Sequence, residues 1–172
     1  SLHLLRVDHL AVHLQGAGAA AADAAHAGVG EGAEAEPVVL EVELQRVFAG
    51  LERLYARYRE QGLVVLGAPS GDFGGQEFKS AERTEQVCRV NYGVSFPMLS
   101  KLHAGPKTPH PLFRALAEAA GRYPGWNFHK YLVGRDGQVL ADFPSAMDPE
   151  APALEAAVQQ ALAAPVAFQS AP

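Results

Sequence analysis

The apolar positions of this chain change period several times, and each change marks an element. Leu10, Val12 and Leu14 alternate with other residues as in an edge strand, while Leu2, Leu5 and His9 equally suit a helix, so Ser1–Gln15 stays open between the two. Gly16–Glu36 is mostly Ala and Gly, with no apolar period and no side chain large enough to build a core, and reads as a flexible low-complexity segment. Pro37–Leu44 alternates Val38, Leu40, Val42 and Leu44 against Val39, Glu41 and Glu43, which predicts a strand. From Val47 to Gln61 the period lengthens: Val47, Phe48, Leu51, Leu54, Tyr55 and Tyr58 share one helical face, and Gly62 follows as a helix-ending glycine. Leu63–Leu66 is a short β-branched apolar run and predicts a buried strand, parallel to the strand before the helix.

Further on, Ser80 can cap a helix to Val90, and Val94–Pro97 reads as extended. His110–Tyr123 predicts a helix with Leu112, Phe113, Leu116 and Ala120 inward. Trp126–Val133 predicts a strand, turned by Asp136-Gly137 into a second at Gln138–Phe143. Asp148-Pro149 reads as a cap and first-turn proline for a last helix lined by Leu154, Val158 and Leu162. The expected organisation is a flexible segment at 1–36, one domain at 37–164 and a frayed tail at 165–172. The fold class is α/β, with a mixed parallel and antiparallel central sheet flanked by helices.

Composition narrows the function classes. At 172 residues, 48% of them apolar, the chain is long enough for a sizeable core. A net charge of −5 carries no basic footprint, so no nucleic acid is expected as a partner. No apolar run is long enough to span a bilayer and the start does not read as a secretory signal, so no membrane association is expected. The single cysteine, Cys88, excludes an internal disulfide and suits a reducing, cytoplasmic setting. His9 and His13 have metal-ligand spacing, but no third ligand accompanies them, and neither a metal nor a cofactor is expected.

The chemistry concentrates between Gly62 and Pro97, where a strand runs into a glycine-rich loop holding Gln76 and Glu77. Loops at the carboxyl ends of strands are where α/β proteins place their sites. Leu63–Gly67 with Phe73-Gly74-Gly75-Gln76-Glu77, then Val87–Met98, then Trp126–Gly137, resembles the glutathione peroxidases from about Phe48 to Leu162. The resemblance implies a thioredoxin-like fold and the reduction of hydrogen peroxide and organic hydroperoxides, with glutathione or thioredoxin as the thiol reductant. In such a reaction a thiolate attacks one peroxide oxygen, the other leaves as hydroxide or alkoxide, and the resulting sulfenic acid is resolved by a second thiol.

By the resemblance, Gln76, Trp126 and Asn127 are the uncharged donors that stabilise thiolate and peroxide, and Cys88 matches a resolving cysteine of the thioredoxin-using type. The reactive cysteine or selenocysteine itself falls, counted back without gaps, on Val42, within Leu40-Glu41-Val42-Glu43-Leu44. The chain departs from the pattern there, and also at Ala68 and Ser70-Gly71-Asp72. The reading is therefore a peroxidase-family protein impaired for lack of its nucleophile, and a monomer. Alternatives are a non-catalytic binding module using the same pocket, or an authentic peroxidase whose N-terminus is mis-assigned.

Overall fold

The computed structural model describes residues 36–72, 89–90 and 92–165 together with 10–14, the segments 10–14 and 36–44 as main chain only. Four strands form one sheet: β1 (Leu10–Leu14), β2 (Leu63–Gly67), β3 (Lys130–Val133) and β4 (Val139–Phe143), in the order β2-β1-β3-β4. β1 runs parallel to β2, with Leu10 opposite Leu63 and Leu14 opposite Gly67. β3 is antiparallel to both β1 and β4. The described residues also include three long helices, α1 (Glu36–Tyr58), α2 (Pro111–Ala120) and α3 (Pro152–Ala163), with a short 3-10 turn, Arg59–Gln61, after the first. The mixed α/β class expected from the sequence is what the chain adopts.

The first strand lies elsewhere than the alternation suggested. Residues 38–44 are helical, within the 23 residues of α1, and the parallel partner of β2 is Leu10–Leu14. Val38, Val39 and Val42 fit a helical face as well as Val38, Leu40, Val42 and Leu44 fit an alternating one. Pro37 in the first turn, with Glu36 beside it at the positive end of the helix dipole, is the start signal that the alternation masked. The domain boundary drawn at 36/37 moves accordingly: Leu10–Leu14 is an inner strand of the sheet, and residues 1–9 and 15–35 lie outside the described residues.

The sheet is covered on both faces. On one, Phe48, Leu51, Leu54 and Tyr58 of α1 and Leu154, Val158 and Ala161 of α3 bury against Leu63, Val65, Leu132 and Phe143. On the other, Phe113, Leu116 and Ala117 of α2 are buried, and Phe113 and Leu116 cluster with Tyr131 and Ala104. α1 is tied to the segment leading into α3 by a two-bond ion pair of Arg53 with Glu150, at 3.0 and 2.6 Å. One turn on, Glu155 accepts from both Arg57 and Tyr58, each at 2.6 Å. These exposed pairs fix orientation more than they stabilise, so the energy sits in the apolar face. Leu51 is fully buried at its centre. Leu51→Ala should cost ~2–5 kcal/mol in urea unfolding, and a loss under about 1 kcal/mol would mean α1 is not seated on the sheet as described.

β2 ends the sheet order, and its last residue, Gly67, bridges on to Met98. The Gly67 amide donates to Pro97 O at 2.9 Å, and Leu99 N donates to Gly67 O at 2.7 Å. A Cβ at Gly67 would meet the Met98 thioether, the flexible end of that side chain, which would have to shift to admit it. Elsewhere the expected bounds contract. β3 starts at Lys130, with Trp126–His129 outside the strand before it. α3 starts at Pro152, one turn after the expected Pro149, while Asp148 Oδ1 instead accepts from Glu150 N at 2.8 Å in a local turn. Of the helix expected at Ser80–Val90, only Arg89 and Val90 fall among the described residues, and both are helical. No helix among the described residues is long and apolar enough to cross a membrane.

Candidate active site

Strand directions bring several loops to one end of the sheet. The carboxyl ends of β1 and β2 coincide at Leu14 and Gly67. Val12 pairs with Leu132 and Ala11 with Val133, so the antiparallel register carries the start of β3, at Lys130, toward that same end. Lys130 in turn lies opposite Phe143, the last residue of β4. Four segments therefore meet there: the loop after Gly67, the turn before Lys130, the loop after Phe143, and the part of α1 around Arg46, which pairs with Asp148.

Trp126 and Asn127 share the turn before β3. Trp126 is 54% exposed, whereas Asn127 is buried, and no donor among the described residues reaches its Oδ1. A buried carbonyl without a donor is costly. Phe128 follows in the left-handed region, φ 61°, a conformation that costs a bulky residue ~1–3 kcal/mol and persists only when its surroundings impose it. Those surroundings are an aromatic cluster: Phe48 of α1 stacks on Tyr92 at 4.9 Å and meets Phe128 edge-on at 5.4 Å. One side chain of α1 thus holds both the Asn-Tyr-Gly and the Trp-Asn-Phe motifs.

From the opposite face, Tyr131 Oη donates to Arg122 O at 2.9 Å, and Arg122 pairs with Asp142. His129 is buried beside them, with Nε2 3.1 Å from Asp142 Oδ2, an ionic approach not aligned as a hydrogen bond. Burial lowers its pKa, outweighing the Asp142 carboxylate. The turn carrying Trp126 and Asn127 is therefore braced on both sides of the sheet.

The loop after β2 has its own anchor, one that sequence reasoning passed over. The Asp72 carboxylate accepts from Ala104 N and Gly105 N, both at 2.8 Å, and lies 3.0 Å from His103 Nδ1. Burial raises its pKa, but the Gly105 amide, the His103 ring and the Ala104 amide together hold it below the ordinary range. Asp72 stands four residues before Gln76 and fixes the root of that loop. In the sequence it stood out only as part of Ser70-Gly71-Asp72, a departure from the family pattern, which does not by itself mark an anchor. Gln76 and Cys88 themselves lie outside the described residues. Val42 is on α1, one turn before Arg46, and not at a strand end as the alternation implied.

Lys130 was also missed. It is fully buried, and Nζ donates to Phe128 O at 2.8 Å and to Met147 O at 2.9 Å. Burial lowers its pKa from the ordinary 10.5 to about 8, against the attraction of Asp148. Between pH 8 and 10 the unfolded chain keeps a proton there that the folded chain has lost, so this residue makes stability rise with pH in that window, by up to ~3 kcal/mol. Above pH 10 burial of Tyr131, whose pKa is raised, acts in the opposite sense. Urea unfolding at pH 8 and pH 10 should show the rise in the parent and not in Lys130→Met; equal slopes would show that Lys130 titrates normally.

Comparison with known proteins places this geometry. The family description "Glutathione peroxidase" matches residues 38–117. A glutathione peroxidase of Lactococcus lactis subsp. cremoris is 42% identical over 107 residues, 60% of this chain and 68% of that protein. The chain belongs to the glutathione peroxidase family. A glutathione peroxidase-like peroxiredoxin of Schizosaccharomyces pombe is 38% identical over a stretch of the same length, again 68% of that protein. Among solved structures, the crystal structure of T. cruzi GPX1 superposes with a TM-score of 0.59 at 19% identity, covering 94% of this chain and 87% of that one. A thioredoxin-family thiol:disulfide interchange protein of Chlorobium tepidum gives 0.52 at 12% identity, over 91% and 82%. Both support the thioredoxin-like fold expected from the motifs. Peroxide reduction is the activity of the glutathione peroxidase family, and a peroxide and a thiol reductant are the partners that membership implies.

Proposed function

We propose that this glutathione peroxidase-family chain has kept the donor half of a peroxide-reducing site and lacks its attacking thiol. The observation that carries the reading is that Cys88 is the only cysteine in 172 residues and, by the family pattern, falls at the resolving position and not at the attacking one. Peroxide reduction by a thiol needs one sulfur to attack and a second thiol, from the same chain or from the reductant, to resolve the sulfenic acid. Trp126 and Asn127, presented from a braced turn at the carboxyl ends of the parallel strands, would offer an indole N–H and an amide to the developing charge. Gln76, on the loop rooted at Asp72, would add a second amide. None of the three is a nucleophile at neutral pH. The peroxide would approach this end of the sheet, and glutathione or thioredoxin would be the reductant. The lack of an inserted loop between Pro97 and Trp126 favours thioredoxin and a monomer, and the single cysteine favours the cytoplasm.

Hydrogen peroxide and an organic hydroperoxide, each coupled to thioredoxin and separately to glutathione, test the reading. Neither the parent nor Cys88→Ser should turn over above the uncatalysed rate. Robust turnover by the parent that survives Cys88→Ser would overturn the thiol account.

A further inference from the structure

Lys130 is a cation enclosed in an apolar layer. Its neighbours on the α1/α3 face of the sheet are Phe128, Leu132 and Phe143, and burying an ammonium there is unfavourable unless the charge is used. The two partners of its Nζ are backbone carbonyls, Phe128 O and Met147 O. Phe128 is the left-handed residue directly after Asn127, and Met147 lies in the loop after β4, so one side chain ties the turn carrying Trp126 and Asn127 to the neighbouring loop. We infer that Lys130 is the positioning residue of the Trp126–Asn127 turn, holding both donors at the carboxyl end of β1 by clamping the carbonyls of Phe128 and Met147.

The inference rests on the pocket reading above, but its test reads the turn and not turnover, so the two can fail separately. Trp126 is the only tryptophan in the chain, which makes its emission a local probe. Lys130→Met keeps the length of the side chain and removes the donor. It should shift the emission maximum of folded protein to the red and raise the acrylamide quenching constant roughly twofold, as expected for a turn opening locally. Lys130→Arg, which retains the charge and donors, should restore most of the parental signal. Val158→Ala, a buried residue of α3, controls for general destabilisation and should leave both readings at parental values. Folded Lys130→Met with parental emission, or a shift that Val158→Ala reproduces, overturns the inference.

Should Lys130→Met fail to fold, titration of the parent decides. Loss of the charge weakens both clamping bonds, so Trp126 emission should change with a midpoint near 8, where burial has brought this amine. The other charges bearing on Lys130 are Arg46 of α1 and Asp148 after β4, while His129 lies next to it, just before β3. The lowered pKa of His129 takes its titration to more acid pH. A flat emission profile from pH 7 to 9.5 overturns the inference.

Discussion

Val12→Pro should unfold this protein, or lower its melting temperature by tens of degrees, although it changes a stretch whose alternation suggested at most an edge strand. β1 is hydrogen-bonded on both sides, parallel to β2 and antiparallel to β3. Proline removes a ladder donor and its ring fits only edge strands or bulges, a cost of ~3 kcal/mol or more before packing is counted. Separating β2 from β3 would also part the two-strand β3–β4 hairpin from the rest of the sheet, and a lone hairpin is marginal in water. Against a total stability of ~5–15 kcal/mol, little would remain. Deleting residues 1–14 should do the same, which runs against the expectation of a flexible segment at 1–36. Circular dichroism melts of the parent, Val12→Pro and the deletion settle it. A change of only a few degrees in both would mean that β1 does not carry the sheet.

The largest expected effect on activity is a gain. Val42→Cys should raise thiol-dependent peroxide turnover from background to a measurable rate, because it supplies the missing sulfur where the family register puts it. Val42 lies on α1, not at a strand end. It stands one turn before Arg46, which pairs with Asp148 in the loop after β4. Hydrogen bonds to the charged form of a thiol lower its pKa, and the amides and indole of the pocket are donors of that kind. The introduced thiolate would attack one oxygen of ROOH, releasing ROH after proton transfer. Cys88 would then displace water from the sulfenic acid to give a disulfide, and two reductant thiols would restore both cysteines. Val→Cys nearly conserves volume, so stability should change little. A gain that vanishes in Val42→Cys with Cys88→Ser under thioredoxin coupling assigns the resolving role to Cys88. No gain in a folded Val42→Cys protein would place the reactive position elsewhere, with the carboxyl end of β1 as the next place to put a thiol.

The sequence by itself determined the family and most of the fold after Phe48. Leu63–Leu66, the apolar face of α1 from Val47 to Tyr58, the Asp136-Gly137 hairpin and the last helix are local signals strong enough to survive folding, with only their bounds adjusted. The single cysteine was likewise plain from the residues alone. Two things were decided only in three dimensions. The period of Pro37–Leu44 fits strand and helix alike, and continuity with α1 settles it as helix, while the weakly patterned Leu10–Leu14 becomes an inner strand because β2 and β3 offer it hydrogen bonds on both sides. The second is the support of the pocket. No local pattern marks Asp72, Phe48 or Lys130 as a support of the pocket; they matter through contacts with segments remote in sequence or through burial, and neither is written in local pattern. A lysine within a strand looks like a solvent-facing residue until the opposite strand and the loop after it close over its ammonium.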